Sequence, residues 1–262
     1  MGFVAQSYAQ DTIITSWKDF ERHDLKFENR ETRVVIPKKA LEGTPWVWRA
    51  RFPEYHAGID SALVAQGFHV VYINTDHMFG SPEAVQVRNR FYDFIVSKYK
   101  FQKKVALHGH SRGGLFTYNW AKKNPKKVAC IYVDAPVCDF KSWPAGFGKS
   151  DGSKKDWEQL KKAYGFNSNE EAKAYTDNPI NNLELLVKAK VPILHTIGLN
   201  DDVVPPAENS ILLVNNYIRL GGMATVYPCI EGIQKSKGHH YAIDNPQIVI
   251  DFIKKYSISN SN

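Results

Sequence analysis

Residues 104–114 read Lys-Val-Ala-Leu-His-Gly-His-Ser-Arg-Gly-Gly, and the interpretation of the chain begins with them. The apolar run 105–107 predicts a strand, and the apolar spacing of residues 115–121 predicts a helix. Between them Ser111 stands at the centre of Gly-x-Ser-x-Gly, a pattern typical of a sharp strand-to-helix turn that exposes a serine hydroxyl. Glycines two residues before and after the serine are expected because strand and helix approach closely there. The alternative is a glycine-rich turn in which the serine has no role.

Composition narrows the class of protein. The 262 residues are 43% hydrophobic and 13% aromatic, enough for a sizeable core. Since no run approaches 18 apolar residues, no transmembrane helix is expected. The net charge is +7, but the lysines occur as pairs scattered along the chain. Without a basic stripe interleaved with aromatic residues, nucleic acid is not an expected partner.

Cysteines and the N-terminus bear on the cell compartment. Cys130, Cys138 and Cys229 lack metal-ligand spacing and are expected to be free thiols, although a Cys130–Cys138 bridge stays open. The segment Ser7-Tyr8-Ala9, preceded by a short apolar stretch, resembles the end of a trimmed secretory leader. It predicts a periplasmic or secreted protein. A plain disordered start, with a cytoplasmic location, is the alternative.

Strand-like and helix-like segments alternate along most of the chain. This order predicts an α/β protein with a mainly parallel central sheet and helices on both faces. The alternation breaks over 139–182, where two short helices, near 156–164 and 169–175, predict a cap-like insertion. We expect one domain over 1–262, with 1–25 as an N-terminal segment.

A reactive serine needs a base, and the base needs a group to orient it. Asp201 and Asp202 follow the predicted strand 191–197, and His239 and His240 follow the predicted strand at 224–227. Serine, acid and histidine therefore fall in three separate loops after strands. In a parallel sheet these loops share the carboxyl edge, where ligands bind.

These motifs resemble the α/β-hydrolase family from about residue 34 to residue 256. The matches are Gly109-His110-Ser111-Arg112-Gly113, the Gly-x-x-Asp-x-x-Val-Pro of 198–205, and Gly238-His239. The resemblance implies the α/β-hydrolase fold, with Ser111 as nucleophile, His239 as general acid and base, and Asp201 as its orienting carboxylate. The family spacing favours these two residues over Asp202 and His240.

The resemblance also implies an oxyanion hole. One donor is the backbone N–H of Arg112. The second comes from the loop where the predicted strand 46–52 ends. Arg51 and Phe52 are the candidates there, and we choose Phe52. The His-Gly-Gly-Gly of many lipases is absent from this loop.

Tryptophan and arginine residues near the predicted edge suggest the substrate. We expect Arg49, Arg51, His110 and Trp143 to bind a small-molecule or oligosaccharide ester bearing a sugar or carboxylate, hydrolysed through an acyl-enzyme. The alternative places the tryptophans in the core and the arginines in solvent. No metal or other cofactor is expected, because no ligand spacing and no Gly-x-Gly-x-x-Gly occurs.

Two other functions stay open. One is a peptidase of the prolyl-oligopeptidase type, against which the lack of a preceding propeller domain counts. The other is a non-catalytic binding protein on the same scaffold, which has no need to keep serine, aspartate and histidine together. The sequence predicts no oligomeric state.

Overall fold

A computed structural model describes residues 12–231 and 234–258, and the leader-like Ser7-Tyr8-Ala9 lies outside them. Within these residues nine strands form one sheet in the order β1-β2-β3-β5-β4-β6-β7-β8-β9. The strands are β1 Ile13–Trp17, β2 Phe20–Phe27, β3 Arg30–Ile36, β4 Trp46–Arg49, β5 His69–Ile73, β6 Val105–His110, β7 Val128–Asp134, β8 Ile193–Gly198 and β9 Ala224–Cys229.

Strands β4 to β9 are parallel, and helices cover both of their faces. The helices are α1 Ala57–Ala65, α2 Pro82–Tyr99, α3 Gly113–Lys123, α4 Lys154–Tyr164, α5 Asn169–Ala174, α6 Glu184–Lys188, α7 Ser210–Arg219 and α8 Pro246–Ile258. Successive strand residues point to opposite faces, so Val70 packs with α1 and α8 whereas Val71 packs with α2 and α3. The predicted α/β-hydrolase architecture is confirmed.

The N-terminal strands differ from expectation. The predicted N-terminal segment 1–25 contains β1 and most of β2, and with β3 they form an antiparallel extension of the sheet. Glu28 and Asn29 both have positive φ in the two-residue turn between β2 and β3, as a type I′ hairpin requires. Four of the five β1 residues are exposed, so no apolar alternation marks the strand.

Strand β4 is shorter than predicted, ending at Arg49 rather than at residue 52. The Ala50 N–H still donates to the His108 carbonyl, and the chain then turns, with Phe52 at a φ of 50°. This turn carries the loop that faces Ser111.

Helices α4 and α5 lie between β7 and β8, close to the predicted bounds. Trp157 and Leu160 of α4 pack in a separate apolar cluster that includes Phe79, Leu115 and Phe140. The insertion is therefore anchored to α3 beside the elbow.

The three cysteines are buried free thiols, so the open Cys130–Cys138 bridge is absent. No helix in the part of the chain described here has the length and apolarity to cross a bilayer.

Candidate active site

Ser111 lies at the apex between β6 and α3 and has a φ of 52°, in the left-handed region that most side chains avoid. A Cβ at Gly109 would stand 2.6 Å from the Thr117 hydroxyl oxygen, and one at Gly114 would stand 2.5 Å from the Val137 carbonyl oxygen. At Gly113 the nearest atom would be 3.6 Å away, an ordinary contact. Crowding is therefore found at Gly109, as expected, but not at Gly113. After the serine the chain packs most closely at Gly114, one residue later.

Three side chains form a hydrogen-bonded series. His239 Nε2 lies 2.9 Å from Ser111 Oγ, and His239 Nδ1 lies 2.7 Å from Asp201 Oδ2. The ionised carboxylate only accepts, so it selects the tautomer with the proton on Nδ1. Nε2 then carries a lone pair facing the serine hydroxyl.

The loops after β8 and β9 hold the acid and the imidazole. The other Asp201 oxygen accepts hydrogen bonds from the backbone N–H groups of Val203 and Val204, at 3.0 and 2.8 Å. Gly238, with a φ of 81°, lies so close to the Asn200 carbonyl that no Cβ fits. The exposed Asp202 side chain takes no part in this series.

Two backbone donors lie beside the serine. Arg112 precedes the first turn of α3, and Phe52 lies on the loop after β4. Across residues 12–231 and 234–258, neither of their N–H groups donates a hydrogen bond. Phe52 lines the pocket at Ser111 and Arg51 does not, and the choice of Phe52 as the second donor stays a prediction.

The serine opens into a pocket of about 280 Å³. Aromatic rings and imidazoles supply most of its wall, and the insertion contributes two residues. The lining residues are Phe52, Tyr55, His110, Ser111, Arg112, Trp143, Asp156, Val203, His239 and His240. Arg112 Nη1 lies 2.7 Å from Asp156 Oδ1, so the lining cation and the lining carboxylate neutralise each other.

Of the four predicted substrate-binding residues, His110 and Trp143 line the pocket. The prediction for Arg49 is wrong. Its side chain is fully buried and pairs with Asp60 at 3.1 Å, because central strand β4 is covered on both faces. Arg51 is also turned away, with its guanidinium 2.7 Å from Asp76 and 4.4 Å from the centre of the Phe52 ring. The Arg51 guanidinium therefore packs against the Phe52 ring.

A second buried carboxylate under the pocket was not singled out from the sequence. Asp134, at the end of β7, accepts hydrogen bonds from four side chains: His56, His110, Thr196 and Tyr241. Burial alone would raise its pKa, but the adjacent His110 and His56 hold the pKa well below its usual range. Its position at a strand end was the available signal, whereas its partners come from four distant segments.

His110 is the pocket residue that rests on Asp134. Its Nδ1 lies 3.1 Å from the carboxylate, and its ring stacks on Tyr55 with centroids 4.0 Å apart. Burial lowers the pKa of His110 to about 4, so the ring is neutral at pH 7. Folding also brings nitrogen atoms of His110, His239 and His240 within 4.8 Å of one another, a grouping that linear spacing did not predict.

Comparison with known proteins places the chain. A model of the prolyl oligopeptidase family matches residues 89–227, more than half of the sequence. The chain belongs to the prolyl oligopeptidase family. The match spans the Ser111 elbow and the Asp201 loop, and with the fold it places the chain among the serine hydrolases. No curated protein matches it.

Solved structures show the same fold at low identity. Acetyl xylan esterase 1 from Thermoanaerobacterium sp. is 16% identical with a TM-score of 0.63, over 94% of this chain and 87% of that one. Acetyl xylan esterase from Paenibacillus sp. R4 is 16% identical with a TM-score of 0.67, over 95% and 89%. Acylaminoacyl peptidase from Pyrococcus horikoshii is 15% identical with a TM-score of 0.62, over 97% of this chain but 41% of that one.

Proposed function

We propose that the protein is a carboxylic ester hydrolase that removes a small acyl group, such as acetyl, from a carbohydrate. The observation that carries the proposal is the Ser111–His239–Asp201 series opening into a pocket of about 280 Å³. Ligand pockets usually measure about 300–1,000 Å³. A volume just below that range suits a short acyl group better than a long chain.

In the proposed reaction, Ser111 Oγ attacks the ester carbonyl carbon while His239 Nε2 takes its proton. The negative oxygen of the tetrahedral intermediate accepts hydrogen bonds from the N–H groups of Arg112 and Phe52. His239 then gives the proton to the departing alcohol oxygen, which leaves an acyl-serine. Water, deprotonated by His239, attacks the acyl carbon, and collapse of the second intermediate returns the proton to Ser111.

The character of the pocket wall supports an uncharged substrate. A peptide with a free N-terminus presents an ammonium group, which forms its strongest hydrogen bonds with an unpaired carboxylate. The carboxylate in the described lining, Asp156, is paired with Arg112. The rings of Phe52, Tyr55 and Trp143 present apolar faces on which a sugar ring can stack. Two structures with the same fold are acetyl xylan esterases by name.

The second candidate function is peptide hydrolysis. It is favoured by the match to the prolyl oligopeptidase family and by the likeness to an acylaminoacyl peptidase. Since the same nucleophile and base serve ester and amide hydrolysis, the two functions differ in what the pocket binds.

Serine labelling and a paired substrate panel test both functions. The protein is treated with a fluorophosphonate probe and assayed with p-nitrophenyl acetate, acetylated xylo-oligosaccharides and aminoacyl p-nitroanilides. We expect labelling, acetyl release and weak anilide cleavage, with Ser111→Ala losing all of them. Ser16→Ala, at an exposed serine in β1, is the control and should match the wild type.

Equal labelling and turnover in wild type and Ser111→Ala would rule out the serine mechanism. A higher kcat/KM for the anilides than for the acetyl esters would instead favour the peptidase function.

A further inference from the structure

The pocket groups three imidazoles, of which the hydrolytic mechanism uses His239 and assigns no role to the other two. His110 comes from the elbow, and His239 and His240 from the loop after β9. One nitrogen of each lies within 4.8 Å of the other two. The ring centroids are 5.7 Å apart for His110 and His239, 5.5 Å for His239 and His240, and 6.2 Å for His110 and His240.

The other nitrogen of each ring has a partner of its own. His110 Nδ1 donates to Asp134 at 3.1 Å, and His239 Nδ1 donates to Asp201 at 2.7 Å. His240 Nδ1 lies 3.1 Å from the Ser236 hydroxyl oxygen. The carboxylates leave Nε2 as the lone-pair atom of His110 and His239, and His240 has the same form when its Nδ1 donates to the Ser236 hydroxyl. Histidines that bind metals have this arrangement, since a carboxylate or other acceptor on one nitrogen orients the ring and makes the other nitrogen more basic.

We propose that His110, His239 and His240 bind one divalent transition-metal ion of the zinc class through their Nε2 atoms, and that the bound ion arrests hydrolysis. The arrest rests on the proposed function, whereas the binding does not. His239 Nε2 has one lone pair, which cannot both coordinate a metal and accept the proton of Ser111. The ion therefore acts as a reversible inhibitor at the base.

The donor set selects the metal. Three imidazoles without a thiolate suit Zn²⁺, Cu²⁺ and Ni²⁺, whereas Mg²⁺ and Ca²⁺ prefer oxygen ligands. Three protein ligands around zinc leave a fourth position for water or, here, the Ser111 hydroxyl. The charge of the ion would be balanced by the two buried carboxylates behind the rings, Asp134 and Asp201.

A modest movement closes the site. Zn–N bonds of 2.0–2.1 Å in a tetrahedral site place the nitrogens roughly 3.4 Å apart, against the present limit of 4.8 Å. His110 and His239 are buried and fixed by their aspartates, while His240 is more exposed. Most of the adjustment therefore falls on His240, the most suitable ligand to replace in a test.

Binding is measured first, on tag-free protein stripped with EDTA and dialysed. Titration calorimetry with ZnCl2 and the visible absorption of added Co²⁺ report stoichiometry and coordination. We expect one Zn²⁺ per chain and tetrahedral Co²⁺ bands. Loss of a group that orients a ligand typically costs about 10–100-fold in affinity, so removal of a ligand in His240→Ala should cost at least about 100-fold. The control His77→Ala removes an exposed histidine away from this pocket and should bind as the wild type does. MgCl2 should give no binding heat.

Inhibition is measured separately, as the Zn²⁺ concentration that halves each variant's own rate of p-nitrophenyl acetate hydrolysis. We expect the half-inhibition concentration to track the calorimetric Kd, EDTA to restore the rate, and His240→Ala to need at least about 100-fold more zinc. No binding, or equal loss of affinity in His77→Ala and His240→Ala, would overturn the proposed site. Stoichiometric, His240-dependent binding in a protein without serine labelling would support the site and refute the hydrolase function. Binding with unaltered hydrolysis would overturn the proposed arrest.

Discussion

Two histidines in this molecule bond to a buried aspartate over nearly the same distance. His239 lies 2.7 Å from Asp201, and His108 lies 2.8 Å from Asp60. Both pairs join groups that are distant in sequence; His108 lies within β6, and His239 lies in the loop after β9. Pair geometry alone therefore does not distinguish them.

The surroundings of the two pairs distinguish them. We call His108–Asp60 the inner pair and His239–Asp201 the outer pair. Arg49 contacts both members of the inner pair and lies within 3.1 Å of Asp60, and all three side chains are buried. Burial would raise the pKa of Asp60, but Arg49 and His108 hold it below its ordinary value. Burial and then the charge of Arg49 lower the pKa of His108. In the outer pair the second imidazole nitrogen faces a serine and a pocket instead of a cation. A histidine–aspartate pair is thus structural where its charge is internally balanced, and available for chemistry where one nitrogen stays open.

The largest expected effect breaks the outer pair. Asp201→Asn keeps an oxygen to accept the N–H groups of Val203 and Val204, so stability should change little. Its amide N–H would face His239 Nδ1 and favour the tautomer protonated on Nε2, which cannot take the proton of Ser111. We expect kcat for p-nitrophenyl acetate to fall about 10⁴-fold.

Asp202→Asn is the matched control, because that neighbour is exposed and outside the series. Its kcat should stay within about twofold of the wild type, as for most surface changes. A large loss in Asp202→Asn with retained activity in Asp201→Asn would reverse the assignment.

The next effect breaks the inner pair. Asp60→Asn leaves Arg49 buried without its counter-ion, which typically costs about 3–5 kcal/mol of the free energy of unfolding. Urea denaturation should show this loss, while kcat per folded molecule should change less than about threefold. The double variant Arg49→Met with Asp60→Leu should recover part of the stability, since no charge is left unpaired.

An unchanged free energy of unfolding in Asp60→Asn would mean that the inner pair does not stabilise the fold. A kcat loss comparable with that of Asp201→Asn would mean that the two pairs share one function.

The effect that is smallest per pH unit comes from a buried histidine without a carboxylate. His195 is fully buried and bonds to the Tyr118 hydroxyl, and burial lowers its pKa to about 3. The unfolded chain, with a histidine pKa near 6.5, binds a proton below that pH that the folded chain does not. Stability therefore falls as pH drops from about 6.5 toward 3, by up to about 1.4 kcal/mol per pH unit from this group.

The free energy of unfolding is measured by urea denaturation at several pH values, in wild type and in His195→Gln. Its slope against pH should be shallower in His195→Gln, by up to the slope that one proton contributes. His77→Gln, at an exposed histidine, should keep the wild-type slope. Identical slopes in all three proteins would contradict the assignment.

Much of the fold could be predicted from the sequence because its strongest signals are local. The apolar run before Ser111 and the alternation of strands and helices indicate the parallel sheet. The hairpin of β1 and β2 could not be predicted, since four of the five β1 residues are exposed and only two β2 residues are buried. The next turn, at Glu28 and Asn29 between β2 and β3, gives a signal only two residues long.

The site was predictable to the extent that its residues follow strand ends. Arg49 was misassigned because its partner Asp60 lies on helix α1, and only folding places the two together. The four donors to Asp134 lie at positions 56, 110, 196 and 241, so no linear pattern contains them. The grouping of His110 with His239 and His240 was invisible for the same reason.

The spacing of the three site residues along the chain has a consequence for folding. His239 and Asp201 are 38 residues apart, whereas His239 and Ser111 are 128 apart with β7, β8 and β9 between them. Closing the longer loop costs more entropy and requires the intervening strands to be in register. The acid and base can meet within the C-terminal part of the chain, but the serine joins them only once the sheet is assembled. Recovery of turnover during refolding should therefore report the last long-range contact to form, later than the recovery of helical signal.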